Sequence, residues 1–339
     1  MTVTPQRRRN QYARLMFVLL CLSSLLIVAG VCVGSAGFEP IQTFLSNPAS
    51  HDIIWQIRLP RSIGAYLAGA LLGMTGAIAQ GLFRNPLADP YLLGSASGAS
   101  FAVAFALMVF GGSPFAGYWL ARLGLTGAAF IGAVVAVLLT LLLARGAQDR
   151  LKILLAGVIV GVIFSALTSA IAFRSPTILQ ALQSFLLGST SFMTWAACLV
   201  MGSVLVLGLC ASIALARVLD ALILGARTAT SLGVHQPQVG SLLILIMSLT
   251  TAAAVAHAGL VAFVGLVAPH LARSFVKAKH AKLIGLSALM GGILLLAADV
   301  LARGLLAPEE LPVGVLTAVL GGGYLCWLMY DQPAKRQAP

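Results

Sequence analysis

Hydrophobic residues in this chain neither alternate nor keep to one helical stripe. They run on for twenty residues or more between short polar breaks. A helix needs about 20 apolar residues to cross a bilayer, and only helices or closed barrels leave no backbone group unsatisfied in lipid. The runs are much longer than the roughly ten-residue strands of a membrane barrel, so the pattern predicts helices. The breaks place ten spans, near 15–36, 62–83, 92–111, 120–144, 152–173, 192–216, 238–258, 260–276, 283–303 and 312–330. Two runs without Asp, Glu, Lys or Arg, 175–216 and 228–272, each exceed one span. The first predicts a short re-entrant or surface helix around 177–188 ahead of its span. The second predicts a loop and then a tight hairpin at His257-Ala258-Gly259. The expected fold class is an all-α polytopic membrane protein, with 1–339 as a single transmembrane domain.

The polar breaks also carry orientation, because cytoplasmic loops collect Lys and Arg. With the N-terminus inside, only Arg58, Arg61, Arg122, Arg174 and Arg303 of the 21 Lys and Arg fall on the outer side, leaving 16 inside. Both termini are therefore expected in the cytoplasm, 1–14 as a leading segment and 331–339 as a tail. Arg7, Arg8, Arg9 and Arg14 ahead of an apolar run resemble a signal peptide in layout. The charge-free run from Leu15 to Phe38 exceeds an h-region of about 7–15 residues, so a retained first span is expected.

Composition narrows the function classes. Of 339 residues 60% are hydrophobic and 9% charged, with mean hydropathy +1.00. A soluble domain carries about 25% charged residues, so a soluble enzyme is excluded. The net charge of +12 fits loop bias rather than a nucleic-acid partner, and no aromatic RNA-binding motif accompanies it. The five cysteines lie in apolar stretches without metal-site spacing, so no metal site is expected. No G-x-x-x-x-G-K-[ST] occurs, so the chain is not expected to hydrolyse ATP itself. Ser95-Ala96-Ser97-Gly98 resembles the serine loop of an intramembrane protease, with His257 and His270 as conceivable bases. Small hydroxyls and glycines at a helix start also cap and pack, and that reading is preferred. Eight of the nine acids fall in loops or at span ends; only Asp299 lies within a span, one turn from Arg303. That spacing suggests a structural pair rather than the relay a stand-alone secondary carrier would need. Energy for transport is then expected from a partner.

Four blocks carry more specific information. Arg58-Leu59-Pro60-Arg61 precedes the second span and Arg84-Asn85-Pro86-Leu87-Ala88-Asp89-Pro90 follows it. Phe263-Val264-Gly265-Leu266-Val267-Ala268-Pro269-His270-Leu271-Ala272-Arg273 and Leu311-Pro312-Val313-Gly314 come later. In this order, from about residue 50 to 330, they resemble the FecCD-like permeases. These are the transmembrane subunits of type II ABC importers for haem, iron-siderophore complexes and vitamin B12.

The resemblance implies a homodimer of ten-helix subunits in the bacterial inner membrane, two cytoplasmic ATP-binding subunits and one periplasmic substrate-binding protein. ATP and Mg would sit on the partner subunits, with no cofactor on this chain and no catalytic residue. Arg58, Arg61 and Arg303 match the family's arginines that receive glutamates of the binding protein. The inside segment 217–238, through Leu224, Gly225, Arg227, Thr230, Leu232 and Gly233, matches the coupling helices that dock on the ATPase. Ala226 and Arg227 stand where relatives often carry acids. Around the dimer axis the resemblance puts Gly157, Gly161, Phe164, Thr168 and Arg174 along the translocation route. Gly321-Gly322-Gly323-Tyr324 replaces the family's usual G-x-P-F-F. The expected cargo is haem or another iron chelate, with vitamin B12 as the alternative.

Overall fold

The computed structural model describes residues 5–34, 37–38, 48–110, 119–144, 150–223, 231 and 236–336. Helix α1 (Pro5–Cys32) leads into a two-residue strand pair, β1 (Val33–Gly34) against β2 (Gly37–Phe38), antiparallel with Val33 opposite Phe38. Next come α2 (Pro48–Ile53), a π-helical turn (Ile54–Arg58) and α3 (Leu59–Phe83). A 3-10 turn (Pro90–Leu93) introduces α4 (Ser95–Phe110), followed by α5 (Trp119–Ala144), α6 (Arg150–Arg174), α7 (Pro176–Leu186) and α8 (Trp195–Ile223). The chain closes with α9 (Gln236–Ala258), α10 (Val264–Phe275), α11 (His280–Gly304) and α12 (Val313–Arg336).

Eight helices among the described residues are long and apolar enough to cross a membrane, and α4 is a shorter apolar helix. With α10 these match the ten segments read from hydropathy, but two of the ten are corrected in kind. The expected span 92–111 begins later, at Ser95, because Asp89 caps the 3-10 turn and Gly94 adopts a left-handed φ of 82°. The expected span 260–276 is the 12-residue α10, about 18 Å long at helical rise and too short to cross. It starts only after Phe263, itself left-handed at φ 67°. The helix expected around 177–188 is α7, and the expected hairpin is the end of α9 at Ala258, where Gly259 turns the chain with φ 67°. The first span starts and stops earlier than 15–36: α1 is helical from Pro5 and gives way to β1 at Val33.

α3 is the axis of the bundle. Of the most apolar window in its span, 83% is buried, against 22% for α1 and 22% for α6. Glycines set the approach of its neighbours. A Cβ on Gly69 would collide with the Gly291 carbonyl of α11, one on Gly73 with the Ser287 carbonyl, and one on Gly76 with the Gly265 carbonyl of α10. Such small-residue seams give the close packing that drives helix association in lipid. The same device joins α4 to α5 through Gly98 and Gly132, and α6 to the 3-10 turn through Gly157 and the Leu92 carbonyl. Gly161, one turn further along α6, meets nothing nearer than Ser97 Oγ at 3.5 Å, so it is no crossing point.

Candidate functional site

At the end of the bundle where α3 begins and α11 stops, four charged side chains meet. Asp299 and Arg303 are one turn apart on α11 and bonded through Arg303 Nη2 and Asp299 Oδ2, the pair their spacing predicts. Arg61, at the first turn of α3, joins them: its Nε and Nη2 each lie 3.2 Å from Asp299 Oδ1. Its remaining Nη1 donates to Glu310 Oε1 at 2.9 Å. Glu310 sits in the connection between α11 and α12, and its other oxygen accepts from Ser191 Oγ at 3.1 Å. Thr190 Oγ1 also donates to Asp299 Oδ1. Arg303 Nη1 donates to the carbonyls of Gly30 (2.8 Å) and Val33 (3.0 Å), at the end of α1 and in β1, and its Nε donates to the Asp299 carbonyl (3.3 Å).

Burial makes this cluster demanding. The side chain of Asp299 is fully buried and that of Arg303 is 1% exposed, whereas Glu310 keeps 25% exposure. Charges taken out of water cost several kcal/mol each, and only well-placed opposite charges and hydrogen bonds offset that cost. Two guanidiniums, two carboxylates and the donors around Asp299 meet this condition. Burial works against ionisation of Glu310, but the hydrogen bond and charge of Arg61, with Ser191 and Arg303, hold its carboxyl below the ordinary glutamate range.

Arg58 is the last residue of the π-helical turn and one turn before Arg61. Its Nη1 donates to the Val31 carbonyl at 3.1 Å. A Cβ on Gly34 would come within 2.7 Å of its Nη2, so β1 leaves room for the guanidinium only as glycine. Trp55 and Trp195, with ring centroids 5.2 Å apart, pack nearby, and Trp195 Nε1 donates to the Trp55 carbonyl. The three arginines singled out in the sequence thus converge, but Arg61 and Arg303 serve an internal carboxylate. The sequence pairs Asp299 with Arg303 and marks Arg61 as a docking residue, but gives no sign that Arg61 bonds Asp299, nor that Thr190 and Glu310 join them. Arg61 and Glu310 are 249 positions apart; their only joint signal was an acid in an outer loop opposite outer arginines.

A second feature lies along α6. An open groove of about 620 Å³ is lined by Asp89, Tyr91, Ser97, Gly157, Gly161, Ser165 and other residues of α6 and the 3-10 turn. Ser165 and Ser169, well inside a span, are exposed. Asp89 accepts from the Tyr91 amide at 2.8 Å, and Tyr91 Oη donates to the Val261 carbonyl at 3.1 Å. Burial pushes the Asp89 carboxyl up to about 6, against the lowering effect of the Tyr91 amide. Of the residues expected on a route, Gly157 and Gly161 line this groove. Phe164 instead stacks on Phe101 at 5.2 Å, Thr168 is buried with its hydroxyl on the Phe164 carbonyl, and Arg174 is exposed at the end of α6.

The six residues expected to contact an ATPase, Leu224, Gly225, Arg227, Thr230, Leu232 and Gly233, lie outside the described residues. The helix leading to them is anchored: Asp220 of α8 accepts from both the backbone amide (3.1 Å) and Nδ1 (2.7 Å) of His280, the first residue of α11. The protease alternative finds no assembled site among the described residues. His257 Nδ1 contacts its own helix at the Ala253 carbonyl, and His270 meets Tyr324 edge-on.

Comparison with known proteins fits this picture. Over 324 residues the chain is 37% identical to the hemin transport system permease protein HmuU of Yersinia pestis, covering 92% of this chain and 95% of that one. It is also 37% identical over 334 residues to the vitamin B12 import system permease protein BtuC of Yersinia enterocolitica, with 96% and 94% coverage. A solved inward-facing structure of a metal-chelate type ABC transporter superposes with a TM-score of 0.83 at 30% identity, over 94% of this chain and 99% of that one. A model of the FecCD transport family matches residues 17–331. The chain is therefore a multi-pass membrane protein belonging to the FecCD transport family.

Proposed function

We propose that the chain is the permease subunit of an ATP-driven importer in the bacterial inner membrane. It would carry haem or another iron chelate from periplasm to cytoplasm by alternating access. The single observation that carries this is the near full-length match to permeases named for hemin and vitamin B12 transport. The site chemistry agrees, since the acid deep in a span, Asp299, is engaged rather than free to couple transport to an ion gradient. Asp299 is held by two arginines.

In this reading two copies enclose the route, with the exposed hydroxyl-bearing face of α6 towards it. Two ATP-binding subunits engage the 217–238 segment, and a binding protein docks at the arginine end. Arg58 and Arg61 meet its carboxylates, while Arg303 acts from below by fixing Asp299. Vitamin B12 remains the alternative cargo.

Substrate-stimulated ATPase in liposomes tests the proposal, using the permease with its ATPase and binding proteins loaded with haemin, a ferric siderophore or cobalamin. Stimulation by the haemin-loaded protein, lost on Arg58→Glu with Arg61→Glu, is expected. Stimulation by cobalamin alone would reassign the cargo, and no stimulation by any would remove the importer reading.

A further inference from the structure

We propose that Glu310 is a built-in stand-in for a partner's carboxylate: it occupies Arg61 in the undocked transporter and is displaced when a binding protein arrives. The inference rests on the docking role proposed above for the arginine end.

One guanidinium divides its donors between two acids. Arg61 gives Nε and Nη2 to Asp299 and only Nη1 to Glu310. Asp299 is fixed, being on a helix, fully buried and shared with Arg303. Glu310 differs on each count. It belongs to a connection without helix, keeps 25% of its side chain exposed and has Ser191 as its second side-chain partner among the described residues. Residues 305–309 are exposed, and the Leu311 amide donates to the Ala302 carbonyl at 3.1 Å, so that bond and the Arg61 and Ser191 contacts are what hold this part of the connection. The two acids and two arginines cancel, leaving no net charge within the quartet. If Glu310 left, Arg61 would retain one open donor and the quartet one positive charge, facing outward.

That arrangement suits exchange of one carboxylate for another. An incoming Glu or Asp side chain would break the Arg61–Glu310 hydrogen bond and form an equivalent one, with no proton moving. The swap is close to neutral in energy, so it supplies orientation and selectivity rather than affinity. An apolar side chain could not complete it, because the guanidinium would be left under-satisfied, and an amide would supply an acceptor without the balancing charge. The same swap frees the connection joining α11 to α12, so docking and a change at the ends of two spanning helices become one event. Without the stand-in, the outer face would present an unoccupied Arg61 Nη1 to any anion in the periplasm.

The test is a docking measurement on the whole transporter, with its ATPase, in lipid nanodiscs. Haemin-loaded and cobalamin-loaded binding proteins are the probes, and melting temperature is recorded for every variant. Glu310→Gln removes the competitor's charge and should tighten docking of the cognate protein roughly tenfold, the worth of one charge-assisted hydrogen bond. Ser191→Ala loosens Glu310 without changing charge and should tighten docking in the same direction by less. Arg61→Glu should abolish it. Unchanged or weaker docking in Glu310→Gln, while Arg61→Glu still abolishes it, overturns the stand-in and leaves the docking reading intact. Should Glu310→Gln fail to fold, absence of tightening in Ser191→Ala overturns it instead. Wild-type docking by Arg61→Glu together with Arg58→Glu would remove the docking reading, and the stand-in with it.

Discussion

α3 and α6 are both 25 residues long, and both lie in spans, yet they solve the problem of the bilayer in opposite ways. The span containing α3 has the lower mean hydropathy, 1.5 against 2.4, and by far the greater burial, 83% against 22%. In water the more buried helix would be the more apolar one. In lipid the apolar surroundings are outside, so α6 turns large side chains such as Leu155, Val162 and Phe173 outward. α3 can keep Arg61, Ser62, Thr75 and Gln80 because protein surrounds them. Thr75 shares a 2.8 Å hydrogen bond with Thr250 of α9, and Gln80 Nε2 donates to the Leu266 carbonyl of α10. Close backbone approach through glycine works beside large buried side chains such as Leu71, Leu72, Met74 and Ile78. The exception on α6 is the pair Ser165 and Ser169, exposed hydroxyl-bearing residues on a largely apolar surface, with Ser169 Oγ donating to the Ser165 carbonyl at 3.0 Å.

Substitutions can break this contrast, and the largest effect is expected at Asp299. Asp299→Asn leaves two guanidiniums buried around a neutral amide and should destabilise the fold by about 3–5 kcal/mol, read as a lowered melting temperature in detergent. Next comes Gly76→Ala, whose methyl group has only the Gly265 backbone to push against; a loss of about 1–3 kcal/mol is expected in the same assay. Gly161→Ala on α6, facing only Ser97 Oγ at 3.5 Å, should stay within about 0.5 kcal/mol of wild type. Equal effects at Gly76 and Gly161 would dissolve the distinction between the two helices. Ser165→Leu with Ser169→Leu should leave the melting temperature alone while depressing transport, and a rise in stability with normal transport would mark that face as lipid-exposed.

The smallest effect concerns pH. Glu310 faces Arg61, with Arg303 and Asp299 behind it. Its carboxyl is held below the usual glutamate value of 4.5, so its contribution is present above that value and lost as pH falls through the lowered one. Hydrogen exchange in 305–312, expressed relative to the intrinsic amide rate at each pH, should therefore stay slow from pH 7 down to about 5 and accelerate only in stronger acid. For a partly exposed pair the stabilisation amounts to about 0–1 kcal/mol. Acceleration already near pH 6 would mean that Arg61 does not hold this carboxylate.

Much of this was legible in the sequence, and the reason is physical. Bilayer thickness imposes a length on apolar runs, so α1, α5, α6, α8, α9, α11 and α12 can be read directly. Half-helices escape that rule: α10 and the 3-10 turn before α4 are set by Phe263 and Gly94 in left-handed conformations, which hydropathy does not register. At the arginine end, Asp299 and Arg303 are neighbours in sequence and could be paired on spacing. Arg61, Thr190 and Glu310 come from three other parts of the chain, and only packing of α3 on α11 brings them together. Glycines stand four apart both at 69 and 73 and at 157 and 161, yet the first pair meets α11 backbone at both positions, whereas the second contains one close approach and one open position. Spacing alone could not separate them, because it does not say which face meets another backbone.

The most direct test of the account is uptake of haemin into proteoliposomes containing the permease, its ATP-binding subunits and the binding protein, with ATP supplied or withheld and an ion gradient imposed or absent. The account predicts accumulation that requires ATP hydrolysis and is indifferent to the gradient. Accumulation by the permease alone, driven by the gradient and abolished by Asp299→Asn in protein that still folds, would contradict it and make the chain a secondary carrier.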